Sequence, residues 1–147
     1  MPISVYKLYL SPQKAYFKKL KNILGFVPGN VRLYQMAFRH KSVAKPIKEG
    51  VKNSNERLEF LGDAVLGSII SCYLYKNYPV ANEGFLTQMK SKIVNRKNLN
   101  SLGEKLKLRD FIQNGGNGNL GENISGNLFE AFIGALYLDT NYETCEK

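Results

Sequence analysis

The chain has 147 residues and is 44% hydrophobic, which is enough for one domain with a core and too little for two ordinary domains. Its two cysteines, Cys72 and Cys145, lie far apart in sequence and outside any CxxC or Cys/His cluster, so the pattern indicates neither a disulfide framework nor a zinc site. No apolar run approaches the roughly 18 residues of a membrane span, so we expect a cytoplasmic protein with no membrane partner. The net charge of +9 comes from residues 1–52, which hold 11 lysines and arginines against one acid, Glu49. This asymmetry favours nucleic acid as a partner, although a solvated basic face would give the same count.

Helical patterns begin near the N-terminus. The stretch SPQKAYFKKLKNILGF (11–26) predicts an amphipathic helix with Ser11 as its N-cap and Pro12 at its first position. After a turn at 27–30, the stretch VRLYQMAFRHKS (31–42) predicts a second helix, which a polar loop follows from Lys45 to Ser54.

A nearly apolar central helix is predicted from Asn55 to about Tyr78, where Pro79 ends it. The pattern continues with one or two helices over 81–108, broken near Asn95 or Lys97. A flexible loop of glycines and asparagines follows over 114–126, then a helix at NLFEAFIGALYLD (127–139) and a last helix from Tyr142. No segment shows a convincing alternating strand pattern, so the expected fold class is all-α.

Three acids interrupt the apolar pattern of the central helix. At about 100° per residue, Glu56, Glu59 and Asp63 fall within roughly 60° of one another and form an acidic stripe. Like charges this close repel unless a cation neutralises them. The alternative is a set of solvated surface acids, which the spacing alone does not exclude.

The helix at 127–139 offers a second set of polar oxygens, because Asn127 and Glu130 lie one turn apart. Small residues, among them Gly134 and, on the central helix, Gly67, predict a close approach of the two helices that brings these oxygens to the acidic stripe. An oxygen-only cluster suits Mg²⁺ or Mn²⁺ rather than zinc, and such ions support phosphodiester hydrolysis.

Four segments resemble the ribonuclease III family. NERLEFLGDAVLG (55–67) is similar to the family's signature motif, and the other three match in order: FKKLKNILGF with LYQMAFRHKS, EGFLTQMKSKIVN (83–95), and NLFEAFIGALYLD. The resemblance spans about residues 17–143, after a basic N-terminal extension of about 1–16. It implies an all-helical, homodimeric endonuclease domain that cuts double-stranded RNA with a divalent metal. This metal is expected to be Mg²⁺, for which Mn²⁺ can substitute.

The resemblance also assigns roles to residues. Glu59, Asp63 and Glu130 match metal-binding catalytic acids, Glu56 matches the first acid of the signature, and Asn127 stands where the family usually has Asp. Phe60 matches a residue of the dimer interface, while His40 is expected to be structural. Lys90, Lys92, Arg96 and Lys97, with the N-terminal lysines, are candidate RNA contacts, with solvated lysines as the alternative.

Two departures from the family pattern remain open. Asn127 removes a negative charge but keeps a carbonyl oxygen, so either catalysis survives or the chain is a catalytically impaired RNA- or ribonucleoprotein-binding module. The chain also stops at NYETCEK, inside the final helix that the resemblance implies, so we expect a truncated piece of a longer protein. Many bacterial members of the family continue into a double-stranded-RNA-binding domain, and whether one follows Lys147 stays open.

Overall fold

The computed structural model describes residues 2–116 and 119–147. Two residues of the predicted loop over 114–126, Asn117 and Gly118, lie outside the described residues, as does Met1. The chain divides into two compact units, Met1–Arg32 and Leu33–Lys147.

The first unit contains short helical turns followed by one regular helix. Its elements are α1 (Ile3–Val5), a π-helical turn (Tyr6–Leu10) and α2 (Lys14–Leu24). The predicted cap is wrong by two residues: Ser11 Oγ accepts a 3.1 Å hydrogen bond from the Gln13 amide, and α2 begins only at Lys14. Lys7 Nζ donates to the carbonyl oxygens of Pro28 and Gly29 at 2.9 and 2.8 Å, so this lysine braces the unit itself.

The second unit is built mainly from helices, as the pattern predicts. Its helices are α3 (Val31–Ala37, which begins just before the unit boundary), α4 (Glu56–Asn77), α5 (Glu83–Ile93), α6 (Arg96–Lys105), a 3₁₀ turn (Leu108–Phe111), α7 (Ile124–Asp139) and α8 (Tyr142–Glu146). The break predicted near Asn95 is confirmed, because Asn95 Oδ1 caps α6 by accepting a 2.9 Å hydrogen bond from the Asn98 amide.

The innermost helix is α7 rather than α4. Every residue from Ile124 to Leu136 except Asn127 is buried, and α7 packs against both α4 and α6. Its side chains meet the buried rings of Tyr34 and Phe38, whose centroids lie 5.8 and 6.1 Å from that of Phe132. The prediction of α4 as the central helix is therefore wrong, because α4 buries only one stripe of its surface.

A small hairpin replaces the expected polar loop. Strands β1 (Pro46–Lys48) and β2 (Val51–Lys52) pair antiparallel across a two-residue turn in which Glu49 and Gly50 both have positive φ, 49° and 80°. Such turns usually carry Asn-Gly, and Glu in the left-handed region is uncommon. The sequence therefore lacks the Asn-Gly pair that usually predicts such a hairpin.

Of the described helices, α4 alone has the length and apolar composition of a membrane span. It nevertheless carries Glu56, Glu59 and Asp63 and packs along α7. These two properties favour a helix that belongs to the protein's own core.

Candidate active site

The crossing of α4 and α7 creates the site. A methyl group at Gly62 would overlap the backbone carbonyl of Glu130, and one at Gly134 would overlap the carbonyl of Leu58, so the two backbones are in direct contact. The expectation for Gly134 is confirmed and that for Gly67 is wrong, because Gly67 faces Lys90 of α5. The contacting stripe of α4 runs along its apolar side, which includes Gly62, and the acids border it.

This crossing places four carboxylates within electrostatic range. Glu130 is 4% exposed, Glu59 is half-buried, and Glu56 and Asp63 are exposed. Asp63 and Glu59 both raise the pKa of Glu130, while Glu56 and Asp63 raise that of Glu59. The predicted acids therefore share one electrostatic environment on facing helices.

Burial dominates the behaviour of Glu130. Loss of water around its carboxylate raises its pKa to about 7, and the guanidinium of Arg96 offsets part of this shift. Burial likewise raises the pKa of Glu59, against the lowering effect of Arg96. At neutral pH Glu130 therefore lies close to the balance between its protonated and ionised forms.

Arg96, the first residue of α6, reaches α7. Its Nη1 donates a 2.8 Å hydrogen bond to Asn127 Oδ1 and lies 3.6 Å from Glu130 Oε2. Arg96 is one of the candidate RNA contacts predicted from the sequence, and its contact with α7 was not predicted. The available signal was a cation at the start of a helix, where the helix dipole disfavours positive charge.

A small cavity of about 100 Å³ opens beside the acidic stripe. Glu56, Glu59 and Asn127 line it together with His40 and Lys41. Ser54 Oγ donates a 3.1 Å hydrogen bond to Glu56 Oε2 and so holds that acid at the start of α4. Lys41, which lowers the pKa of Glu59, is a site residue that sequence reasoning missed.

His40 serves the turn that carries it. The Ser42 amide donates a 3.2 Å hydrogen bond to Nδ1, so this nitrogen is an acceptor, and the His40 amide donates to the Gln113 carbonyl at 2.9 Å. These contacts support the structural role expected for His40.

The acids are not grouped as a complete set of metal ligands. Among the residues that the structure describes, no three His, Cys, Asp or Glu side chains are grouped closely enough to hold an ion. Whether Glu59, Asp63, Asn127 and Glu130 bind a metal therefore stays a prediction.

A second feature of α4 is its exposed aromatic face. Phe60 is 81% exposed and borders an apolar groove of about 640 Å³. Leu33, Met36 and Leu138 line this groove beside the hairpin residue Ile47. An exposed phenylalanine next to an apolar groove is typical of a surface that another protein chain covers.

The candidate RNA contacts divide into two groups. Lys90 lines a polar groove of about 440 Å³ that begins at Asp63 and continues past Ser68 and Thr87 between α4 and α5. Lys92 and Lys97 are exposed on α5 and α6. Of these lysines, Lys90 alone shares a groove with a predicted metal ligand.

Comparisons with known proteins agree with this architecture. The family model described as "Ribonuclease III domain" matches residues 56–141. The chain is similar to proteins named "Ribonuclease 3" from Flavobacterium psychrophilum (47% identity, 96% of this chain, 59% of the relative) and Zunongwangia profunda (47%, 90% and 55%). It thus spans under two thirds of these relatives' length.

Among solved structures, the chain resembles the nuclease domain of ribonuclease III from Campylobacter jejuni. The TM-score is 0.76 and the sequence identity 32%, over 88% of this chain and 90% of that chain. The description of that structure concerns flexibility in a region involved in dimer formation.

Proposed function

The chain belongs to the ribonuclease III family, and we propose that it is an endoribonuclease that hydrolyses phosphodiester bonds of double-stranded RNA and leaves 5′-phosphate and 3′-hydroxyl ends. The observation that carries this proposal is the buried Glu130, which lies at the backbone contact of α4 and α7 among Glu59, Asp63 and Asn127. Such activity belongs to RNA processing, for example of ribosomal RNA precursors, and we place it in the cytoplasm.

The donor set fits a hard divalent cation. All four side chains offer oxygen, and Mg²⁺, or Mn²⁺ in its place, prefers oxygen ligands. The raised pKa of Glu130 supports this, because a carboxylate that has lost its water needs a cation to stay ionised. Glu59, Asp63, Asn127 and Glu130 would hold the metal, which supplies an activated water and stabilises the leaving oxygen.

The side chains around the ligands have their own tasks. Glu56, fixed by Ser54, shapes the wall of the small cavity on the solvent side. Lys41 contributes positive charge on the same wall, where an RNA phosphate would approach. Lys90 lies in the groove that leads away from Asp63. Lys92 and Lys97 are exposed on α5 and α6 and offer further positive charge.

We propose further that the chain acts as a homodimer through Phe60. In a two-fold arrangement each subunit inserts Phe60 into the apolar groove of the other, so every contact occurs twice. Burying one phenylalanine contributes roughly 1.5–3 kcal/mol. The exposed ring and the apolar groove beside it support this arrangement, and two sites on one duplex would cut both strands.

A second candidate function is a non-catalytic module that binds RNA or a ribonucleoprotein. Asn127 favours it, since the site lacks one negative charge and Arg96 pairs with the two oxygens of α7. The retained acids Glu56, Glu59 and Asp63 favour the enzyme, because drift after a loss of catalysis would leave little reason to keep them.

Cleavage of long duplex RNA separates the two functions. The chain is incubated at low salt, which favours binding, with Mg²⁺ or Mn²⁺, and binding is followed by gel shift. The enzyme predicts cleavage products with 5′-phosphate ends. Retained binding without cleavage at every concentration of either ion, together with cleavage restored by Asn127→Asp, would establish the non-catalytic module.

A further inference from the structure

Arg96 occupies its position because α6 and α7 are packed in direct contact. A methyl group at Gly103 of α6 would overlap the backbone of Ser125, and the Gly126 amide donates a 2.8 Å hydrogen bond to Asn100 Oδ1. The cap at Asn95 fixes the start of α6. The first residue of the helix is thereby held beside α7.

The contact between Arg96 and α7 runs against ordinary helix electrostatics. The first turn of α6 carries two cations, Arg96 and Lys97, and no acid, although the amino end of a helix disfavours positive charge. The Arg96 guanidinium donates a 2.8 Å hydrogen bond to Asn127 Oδ1 and lies 3.6 Å from Glu130 Oε2. The acids at the crossing of α4 and α7 therefore offset the unfavourable interaction of Arg96 with the amino end of α6.

The two oxygens that Arg96 contacts are the two that α7 is expected to offer to a metal. A guanidinium and a divalent cation cannot both occupy the space between them, since each would repel the other. The Arg96 side chain is 57% exposed, so it can turn into solvent when a stronger cation arrives.

We propose that Arg96 is the resident counter-ion of this site: it pairs with Asn127 and Glu130 in the metal-free chain, and a divalent cation binds only by displacing it. Arg96 is thus a positioning residue that sets the affinity for the metal. This inference rests on the proposed function, because it assumes that the site binds a divalent cation.

The neutral side chain at position 127 has a consequence under this proposal. An aspartate there would add a charge for the metal and would also hold Arg96 by an ion pair. Part of the gain in metal affinity from Asn127→Asp would then be hidden as long as Arg96 is present. The two substitutions are therefore coupled and not additive.

Metal binding, measured without RNA, tests the proposal. Free Mn²⁺ is followed by electron paramagnetic resonance during titration of the wild type and of Arg96→Gln, with Lys97→Gln as the matched control that removes the next cation of the same exposed turn. We expect Arg96→Gln to tighten Mn²⁺ binding by about three- to tenfold, Arg96→Lys to lie between, and Lys97→Gln to change it by less than about twofold. Circular dichroism confirms that each variant is folded.

The outcomes separate the inference from the proposed function. Saturable Mn²⁺ binding that is equal in Arg96→Gln and Lys97→Gln overturns the role of Arg96 and leaves the metal site standing. Absence of saturable binding in the wild type and in every variant overturns the proposed metal site, and the inference with it.

The double-mutant cycle gives an independent readout. We expect Asn127→Asp to improve Mn²⁺ affinity at least about threefold more in the Arg96→Gln background than in the wild type, because the competing ion pair is then absent. Equal gains in the two backgrounds would contradict the displacement of Arg96.

Discussion

Glu130 makes the stability of the metal-free chain depend on pH. Its side chain is 6% exposed, and burial raises its pKa from 4.5 to about 7. The folded chain therefore holds this proton more tightly than the unfolded chain does. Stability from this group is fully present below about pH 4.5 and is lost as the pH rises through about 7.

The size of the effect follows from the two pKa values. Each pH unit between them corresponds to about 1.4 kcal/mol, so the ionised Glu130 costs the metal-free fold about 3 kcal/mol at pH 8. Glu130→Gln keeps the shape and hydrogen-bonding capacity of the side chain but removes the titration. The variant should be more stable than the wild type at pH 8 and show no such gain at pH 4.5.

Urea denaturation in the presence of a chelator, at pH values from 4.5 to 8, measures this difference. Glu122→Gln serves as the control, since Glu122 is an exposed acid just before α7. We expect the difference in unfolding free energy between Glu130→Gln and the wild type to grow by about 3 kcal/mol across this range. Parallel pH profiles for Glu130→Gln and the wild type would refute the assignment of the raised pKa to a buried carboxylate that Arg96 neutralises only in part.

Three further substitutions test the packing and the interface. Gly62→Ala should lower the unfolding free energy by roughly 1–3 kcal/mol, because its methyl group would meet the backbone of α7. Gly67→Ala is the control and should not destabilise the chain. Urea denaturation measures the unfolding free energy of both variants. Phe60→Ala should weaken self-association by about 30-fold or more in sedimentation equilibrium. Val80→Ala, at a 99% exposed loop position, is the control. An unchanged dimer in Phe60→Ala would show that Phe60 is not part of the interface. Tyr34→Phe should cost about 1–2 kcal/mol in thermal unfolding, because it removes the 2.9 Å hydrogen bond from a fully buried hydroxyl to Asp139; no loss of stability would show that this bond is dispensable.

The parts of the fold that the sequence predicted are those with strong local signals. Pro79 and the cap near Asn55 defined α4 to within a residue or two, and Asn95 marked the break between α5 and α6. The acidic stripe was equally readable, because helical periodicity alone puts Glu59 and Asp63 on one side. These features depend on residues close in sequence.

The parts that the sequence did not predict depend on packing between distant segments. Gly62 and Gly67 are both glycines of one helix, and only the position of α7 shows that Gly62 is the contact. The role of Arg96 likewise required knowing that α6 begins beside Asn127. The hairpin was missed for a local reason, since Glu49 adopts a left-handed conformation that glutamate rarely takes.

Cleavage of long double-stranded RNA in Mg²⁺ by the wild type and by Asp63→Asn shows directly whether the acids at the crossing of α4 and α7 form an active site. Asp63 is exposed on α4, so we expect its substitution to leave the fold intact, and circular dichroism of the variant checks this. We expect the wild type to cleave the RNA and the variant to lose at least about 100-fold in cleavage rate, because a metal ligand is removed. Equal cleavage by the two proteins would contradict the assignment of the site.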